Sequence, residues 1–143
     1  MPVVLTGANT ALGQAVLIAL REAGVPDIRA TVPEAAAAAG PRSAGVPTAV
    51  SDLSDPLTTG AVLEGAHTIV HLYRPAQTYG WLREAAEGTS VRRVVIVLPL
   101  DAEPLGSLGG SDRWEVVVLT GEVDSADPDL VASILAADRR ASG

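Results

Sequence analysis

The sequence predicts an α/β domain with a doubly wound parallel sheet of about six strands in the order 3-2-1-4-5-6. Two observations predict this fold class: strand-like and helical segments alternate, and the strand-like runs are apolar without interruption. Short runs of valine, isoleucine and leucine alternate with helical segments along the whole chain. Such uninterrupted apolar strands are typical of parallel sheets whose two faces are both covered by helices. The length of 143 residues suits one domain, which we expect to span residues 1–143.

Strands are expected where a short apolar run ends at a glycine, a proline or a polar residue. These runs are too short for stable helices, and their β-branched residues favour strands. Six segments have this pattern: residues 3–5, 28–32, 48–50, 68–73, 93–98 and 114–119.

Helices are expected between the strands, where apolar residues recur at intervals of three and four. Asp55-Pro56 and Asp127-Pro128 have the pattern of helix starts, and Gly24 ends the first helix. The alanine run after Pro33-Glu34 predicts a short helix that ends at Gly40-Pro41. The expected helices cover residues 11–23, 33–39, 55–64, 79–87 and the segment from 127 onward.

Composition excludes several classes of function. The chain has no cysteine, and all 10 of its basic residues are arginine. Schiff-base chemistry, thiolate metal sites and phosphate loops that end in lysine are therefore excluded. The net charge of −7 argues against a nucleic-acid partner, because phosphate backbones need clustered cations. No apolar run reaches the roughly 18–20 residues of a membrane span, so we expect a cytoplasmic protein. The bias toward alanine, glycine, proline and valine, with no phenylalanine, indicates a GC-rich genome, which we expect to be bacterial.

The turn between the first strand and the first helix carries the strongest functional signal. Gly7 directly follows the strand, where it allows a tight turn, and Gly13 lets the helix pack closely on the strand. Backbone amides at the helix start would face a pyrophosphate, which the helix dipole also favours. The expected dinucleotide-binding residues of this turn are Gly7, Asn9, Thr10, Ala11, Leu12 and Gly13.

From Thr6 to Gly13 the sequence resembles the fingerprint of the short-chain dehydrogenase/reductase superfamily, in its extended and atypical (NmrA-like, epimerase/dehydratase-like) branches. Ser51-Asp52-Leu53 looks like the family's Gly-Asp-Leu after the third strand. Similar patterns at residues 61–72 and 84–95 extend the resemblance over nearly the whole chain. It implies a Rossmann fold that binds NAD or NADP, with Asp52 and Leu53 beside the adenine.

Leu72 and Tyr73 end the fourth strand at the edge where open α/β sheets bind ligands, so we expect them to contact the cofactor. For Tyr73, simple packing at the mouth of the strand is an equally weighted alternative.

Two departures from the family pattern bear on the cofactor. Thr10 replaces the middle glycine, so its side chain either crowds the phosphate or offers it a hydroxyl contact. Glu34 lies about 20 residues past the glycine turn, where an acidic residue would bind the ribose hydroxyls of NAD. A favourable charge at a helix start is the other explanation for Glu34. The expected cofactor is NAD or NADP, with a slight preference for NAD.

The family's catalytic residues are missing from their usual places. Leu98 and Pro99 stand where relatives have two serines, and the segment from Asp101 to Arg113 contains neither tyrosine nor lysine. Tyr79 and Arg83 have the Tyr-x-x-x-Lys spacing, but arginine stays protonated and cannot replace lysine in a proton relay. The catalytic residues, if there are any, are unknown.

Other ionisable residues have both a functional and a structural interpretation. His71 ends the fourth strand, and we expect a structural histidine there rather than a catalytic one. Asp101, Glu103 and Asp112 could perform acid–base chemistry, although a solvated loop has the same composition. His71 and these acids lack metal-ligand spacing, so no metal site is predicted.

Three functions remain open. The first is a minimal NAD(P)-binding protein that acts as a sensor or a non-catalytic subunit, for which Gly13→Val should abolish nucleotide binding while the fold survives. The second is a non-redox enzyme (isomerase, cyclase or lyase) that binds a small molecule at the carboxyl ends of strands four and five and uses His71, Tyr73 or the loop acids. The third is a ligand-free structural partner. Either a homo- or a hetero-oligomer is possible for the chain, and the third function requires a hetero-oligomer.

Overall fold

Six strands pair in parallel into one sheet in the described part of the chain. A computed structural model describes the backbone of residues 2–25, 27–72, 75–99 and 114–142, and the side chains of these residues except 75–77 and 138–142. The strands are β1 (Val3–Thr6), β2 (Ile28–Val32), β3 (Thr48–Val50), β4 (Thr68–His71), β5 (Arg93–Leu98) and β6 (Glu115–Thr120). Their order is β3-β2-β1-β4-β5-β6, which confirms the predicted fold class and strand order.

Helices cover both faces of the sheet. They are α1 (Ala11–Glu22), a 3-10 helix (Ala35–Ala38), α2 (Ala39–Ser43), α3 (Pro56–Leu63), α4 (Pro75–Ala86) and α5 (Pro128–Ser142). Successive strand residues point to opposite faces, so the apolar runs supply two cores. Val3 and Leu5 pack with α1 and α5 in one core, whereas Val4 packs with α3 and α4 in the other. No helix among the described residues is long and apolar enough to cross a bilayer.

The structure differs from the sequence prediction at two helices. The helix expected to end at Gly40-Pro41 is a 3-10 helix that continues as α2 through Ser43. Pro41 is tolerated because it lies in the first turn of α2, where its missing N–H is not needed. Helix α4 begins at Pro75 instead of residue 79, since the first helical position suits proline.

Strand β4 is shorter than the predicted segment 68–73 and ends at His71. The reason is a side chain on the neighbouring strand. The amide of Leu72 donates to the hydroxyl of Thr6, 2.9 Å away, and so leaves the backbone ladder of the sheet.

A buried arginine fixes α5 against the amino edge of the sheet. The Arg93 guanidinium pairs with the carboxylate of Glu115 on β6 at 2.7 Å and also donates to the backbone carbonyl of Ala137 on α5. Arg93 is only 9% exposed, and these two partners offset part of the cost of its burial, since its Nε has no hydrogen-bond partner among the described residues. This anchor holds the position of α5 on the same face as α1.

Candidate functional site

Strand register brings the predicted site residues to one edge of the sheet. Thr6 pairs with Thr31 on β2 and with His71 on β4, and Val32 pairs with Val50 on β3. The segments that follow these strands therefore lie side by side at the carboxyl edge. This edge holds Gly7, Asn9, Thr10, Ala11, Leu12, Gly13, Glu34, Asp52, Leu53 and Leu72. The predicted contact Tyr73 and the loop acids Asp101, Glu103 and Asp112 lie outside the described residues.

The glycine turn has the geometry that its sequence predicts. Gly7 has φ +71°, a left-handed conformation that glycine adopts without strain. A Cβ on Gly13 would lie 2.2 Å from the carbonyl oxygen of Gly7 and 2.9 Å from Cα of Ala8. Both of these are backbone atoms, so they cannot rotate away from an added side chain. Gly13 therefore lets α1 pack directly on the turn, and this geometry argues against the expectation that Gly13→Val would spare the fold.

Thr10 caps α1, a role that neither sequence hypothesis for it included. Its hydroxyl donates to the carbonyl oxygen of Gly7 at 2.8 Å and accepts from the amide of Gly13 at 2.9 Å. Because its proton is committed to Gly7, the hydroxyl is not available to donate to a phosphate. The sequence did contain the signal, since threonine just before a helical segment is a common N-cap.

The first turn of α1 is partly occupied by the protein itself. The amide of Leu12 donates to the carbonyl oxygen of Val123 at 2.8 Å, and the amide of Gly13 is bound by Thr10. Ala11 is exposed, and its amide has no hydrogen-bond partner among the described residues. One of the three amides that a phosphate could contact at this helix start is therefore open.

Glu34 lies at the carboxyl end of β2. It is exposed, it follows Val32 by two residues, and it precedes the 3-10 helix. Its side chain makes no capping hydrogen bond to that helix. The carboxylate is therefore free to accept hydrogen bonds from a ligand at the carboxyl edge.

The turn after β3 holds a leucine in an unusual backbone conformation. Leu53 has φ +74°, which is uncommon for a residue with a side chain, and it is 2% exposed. Its amide donates to the Ser51 hydroxyl at 3.0 Å. Hydrogen bonds from Ser54 to the exposed carboxylate of Asp52 lower the pKa of that group. The turn thus presents an ionised carboxylate beside a buried apolar residue.

His71 belongs to the core and not to the crevice. Its ring is fully buried, and its two nitrogens lie 2.8 Å from the hydroxyls of Thr6 and Thr78. Burial lowers the pKa of His71 to about 3, so the ring is neutral at physiological pH. The hypothesis that His71 carries protons for a bound substrate is therefore wrong for this structure. Leu72 is also fully buried, which leaves only its backbone for contact with a ligand.

An open groove of about 540 Å³ adjoins the site between α1 and the helices that follow β2. The sequence did not predict it, because it forms only where α2 continues through Gly40 and Pro41. No group of acidic and histidine side chains able to hold a metal ion occurs within the described ranges. The groove is lined by Asn9, Gln14, Leu17, Ile18, Pro41 and Ala44, among others.

No family model and no curated protein matches this sequence. The chain is similar to several solved structures. An NADPH-dependent quinone oxidoreductase from Escherichia coli, complexed with NADPH, is 23% identical with a TM-score of 0.60, over 73% of this chain and 40% of that one. A nucleoside-diphosphate-sugar epimerase from Staphylococcus aureus is 16% identical with a TM-score of 0.59, over 69% of this chain and 38% of that one. A short-chain dehydrogenase/reductase superfamily protein from Agrobacterium tumefaciens with bound NAD is 22% identical with a TM-score of 0.54, over 69% of this chain and 33% of that one.

These likenesses confirm, at the level of the fold, the resemblance found in the sequence. The chain has the Rossmann fold that these reductases and epimerases also have. It spans only 33% to 40% of the length of the three proteins.

Proposed function

We propose that this chain binds a nicotinamide dinucleotide at the carboxyl edge of its sheet and acts as a sensor or a non-catalytic subunit. The observation that carries the proposal is the turn from Gly7 to Gly13. This turn packs the amino end of α1 against β1 at the position where Rossmann folds bind a pyrophosphate. Solved structures with the same fold hold NADPH or NAD, which supports this class of ligand.

Each part of the dinucleotide has a partner in this arrangement. The open amide of Ala11 binds the pyrophosphate, and the amide of Leu12 joins it only when it leaves the Val123 carbonyl; the rest of the turn keeps the backbone close to the pyrophosphate. Glu34 accepts hydrogen bonds from the hydroxyls of the adenosine ribose, and this favours NAD over NADP. Asp52 and Leu53 flank the adenine, and the backbone of Leu72 borders the nicotinamide side.

Binding without turnover is supported by the burial of Tyr79 and His71. A bound nicotinamide would supply hydride chemistry, but a reductase also needs an acid or base that reaches the substrate. The hydroxyl of Tyr79 is buried and has no hydrogen-bond partner among the described residues. His71 is enclosed in the core. Neither group can exchange a proton with a substrate in the crevice.

A thermal-shift titration with NAD+, NADH, NADP+ and NADPH tests the proposal, followed by calorimetry with any nucleotide that stabilises the protein. A ligand at 100 times its Kd adds about 2.7 kcal/mol to the free energy of unfolding. We expect one of the NAD forms to give the largest shift. The absence of any shift at millimolar nucleotide would refute the proposal.

Ala11→Glu locates the binding site without disturbing the core. Ala11 is exposed at the first position of α1, where an acid favours the helix but repels a pyrophosphate. We expect this variant to fold normally and to lose nucleotide binding. Ala61→Glu makes the same change at an exposed position of α3 and should bind as the unaltered protein does. Equal binding by both variants would show that the α1 end is not the site.

A further inference from the structure

The segment between β6 and α5 lies over the amino end of α1. We refer to residues 121–127 as the β6–α5 loop. Its Val123 carbonyl accepts the hydrogen bond from the Leu12 amide at 2.8 Å, and the Val123 side chain packs against the core beneath α1. At the start of the loop, the Gly121 amide donates to the carbonyl of Leu98 at 2.9 Å. The loop is thus held at both the sheet and the helix.

We propose that the β6–α5 loop closes the pyrophosphate position and must move away before a dinucleotide binds; this inference rests on the proposed function. An amide N–H makes one strong hydrogen bond, so Val123 and a phosphate oxygen compete for the same proton of Leu12. The protein therefore supplies its own carbonyl as a substitute for the phosphate. Closure of the loop and binding of the pyrophosphate exclude each other.

Charge makes this exclusion stronger. The loop and the first turn of α5 carry only acidic charges, and all of these side chains are exposed. A pyrophosphate at the start of α1 would be repelled by them while the loop stays closed. No arginine occurs in the loop to offset them. The acidic residues are Glu122, Asp124, Asp127 and Asp129.

Loop opening links dinucleotide binding to a change in the exposed surface of the β6–α5 loop, which a partner protein could detect. Binding releases Val123 from its packing against the core and moves the acidic segment away from α1. A sensor needs such a change between its free and bound states. The β6–α5 loop is the described element that a dinucleotide would displace.

The test weakens loop closure and measures dinucleotide affinity by calorimetry. If binding requires the open loop, the apparent Kd equals the intrinsic Kd divided by the open fraction. Val123→Ala removes half-buried apolar surface that holds the loop closed, so we expect about three- to fivefold tighter binding. Val25→Ala is the matched control. Val25 is also half-buried against the same core, but it lies beyond the opposite end of α1, and its variant should bind with unchanged affinity.

A second variant tests the loop without removing any contact with the core. Ser125 is exposed, and Ser125→Gly gives the open loop more backbone freedom, so it should also tighten binding. Amide exchange of Leu12 should be slow in the unaltered protein and faster in both loop variants. The Gly13 amide, which Thr10 holds, serves as the internal reference.

The outcomes separate this inference from the proposed function. Tighter binding by both loop variants, with Val25→Ala unchanged, supports the closing role of the loop. If the loop variants bind no more tightly than Val25→Ala, the inference is wrong while dinucleotide binding stands. If no variant binds a dinucleotide at millimolar concentration, both are wrong.

Discussion

Thr6 and His71 are joined across strands β1 and β4 by a hydrogen bond of 2.8 Å between the threonine hydroxyl and Nδ1 of the ring. The same hydroxyl accepts from the amide of Leu72, and the other ring nitrogen is bound by Thr78 on α4. A single buried imidazole therefore ties two strands and a helix together just below the candidate site. Its protonation state bears on stability and not on catalysis.

Acid should destabilise the protein through His71. Burial lowers its pKa from 6.5 to about 3, so between these values the unfolded chain binds a proton that the folded chain does not. The stabilisation is complete above about pH 6.5 and decreases toward pH 3, by about 1.4 kcal/mol per pH unit. We measure the free energy of unfolding with urea at pH 7 and at pH 5. Between these values the free energy of unfolding of His71→Gln should fall by about 2 kcal/mol less than that of the unaltered protein. The control variant His67→Gln, which replaces a half-buried histidine, should lose as much stability between pH 7 and pH 5 as the unaltered protein does. Equal losses in all three proteins would contradict the prediction.

Gly13→Ala should destabilise the fold by about 3 kcal/mol, because its Cβ would overlap backbone atoms of Gly7 and Ala8. Chemical unfolding measures this loss. Gly80→Ala is the matched control, since Gly80 is an exposed glycine of α4 with nothing within 4 Å of an added Cβ. Alanine there should raise stability by up to about 1 kcal/mol. A Gly13→Ala protein as stable as the unaltered one would mean that α1 does not pack on the turn as described.

Thr10→Ala should lower the free energy of unfolding by about 1 kcal/mol, because the Gly13 amide and the Gly7 carbonyl lose their hydroxyl partner. Thr10→Ser keeps that hydroxyl and should restore most of the stability. Urea unfolding of the two variants provides the comparison. If serine and alanine give equal stability, the hydroxyl does not cap the helix.

Glu34→Arg should reverse the preference between the two dinucleotides. The carboxylate suits the free ribose hydroxyls of NAD, whereas arginine suits the 2′-phosphate of NADP. The exposed side chain leaves room for the exchange, and we expect about a tenfold change in the affinity ratio. Glu87→Arg, at an exposed site just beyond the end of α4, changes the net charge equally and should leave the ratio unchanged. Calorimetry with NAD+ and NADP+ measures both ratios.

Much of the fold was predictable because its signals are local. The predicted bounds of β2, β3 and β5 agree with the structure, since each is a short apolar run between polar or turn residues. The errors arose at prolines. The sequence prediction ended a helix at Pro41 and placed the start of α4 four residues after Pro75, although proline fits the first turn of a helix as well as it ends one.

The candidate site was predicted in part. Gly7 and Gly13 could be placed because a parallel sheet requires a tight turn and close helix packing at one definite point. The side-chain roles were harder to predict, because they depend on which atoms meet. Thr10 turned out to be a cap, a role that was not predicted, whereas His71 is the structural histidine that the sequence predicted; both roles follow from hydrogen bonds to a neighbour.

The sequence by itself determined the parallel sheet, its strand order and the glycine turn, because periodicity and right-handed crossovers act through short stretches of chain. Only the tertiary structure decided that Val123 meets Leu12. These residues are more than a hundred positions apart, and their contact depends on the packing of α5 beside α1. It also decided that His71 is enclosed, since Thr78 reaches the ring only from the helix packed over β4. Contacts of this kind depend on how whole elements pack, and no local pattern of residues encodes them.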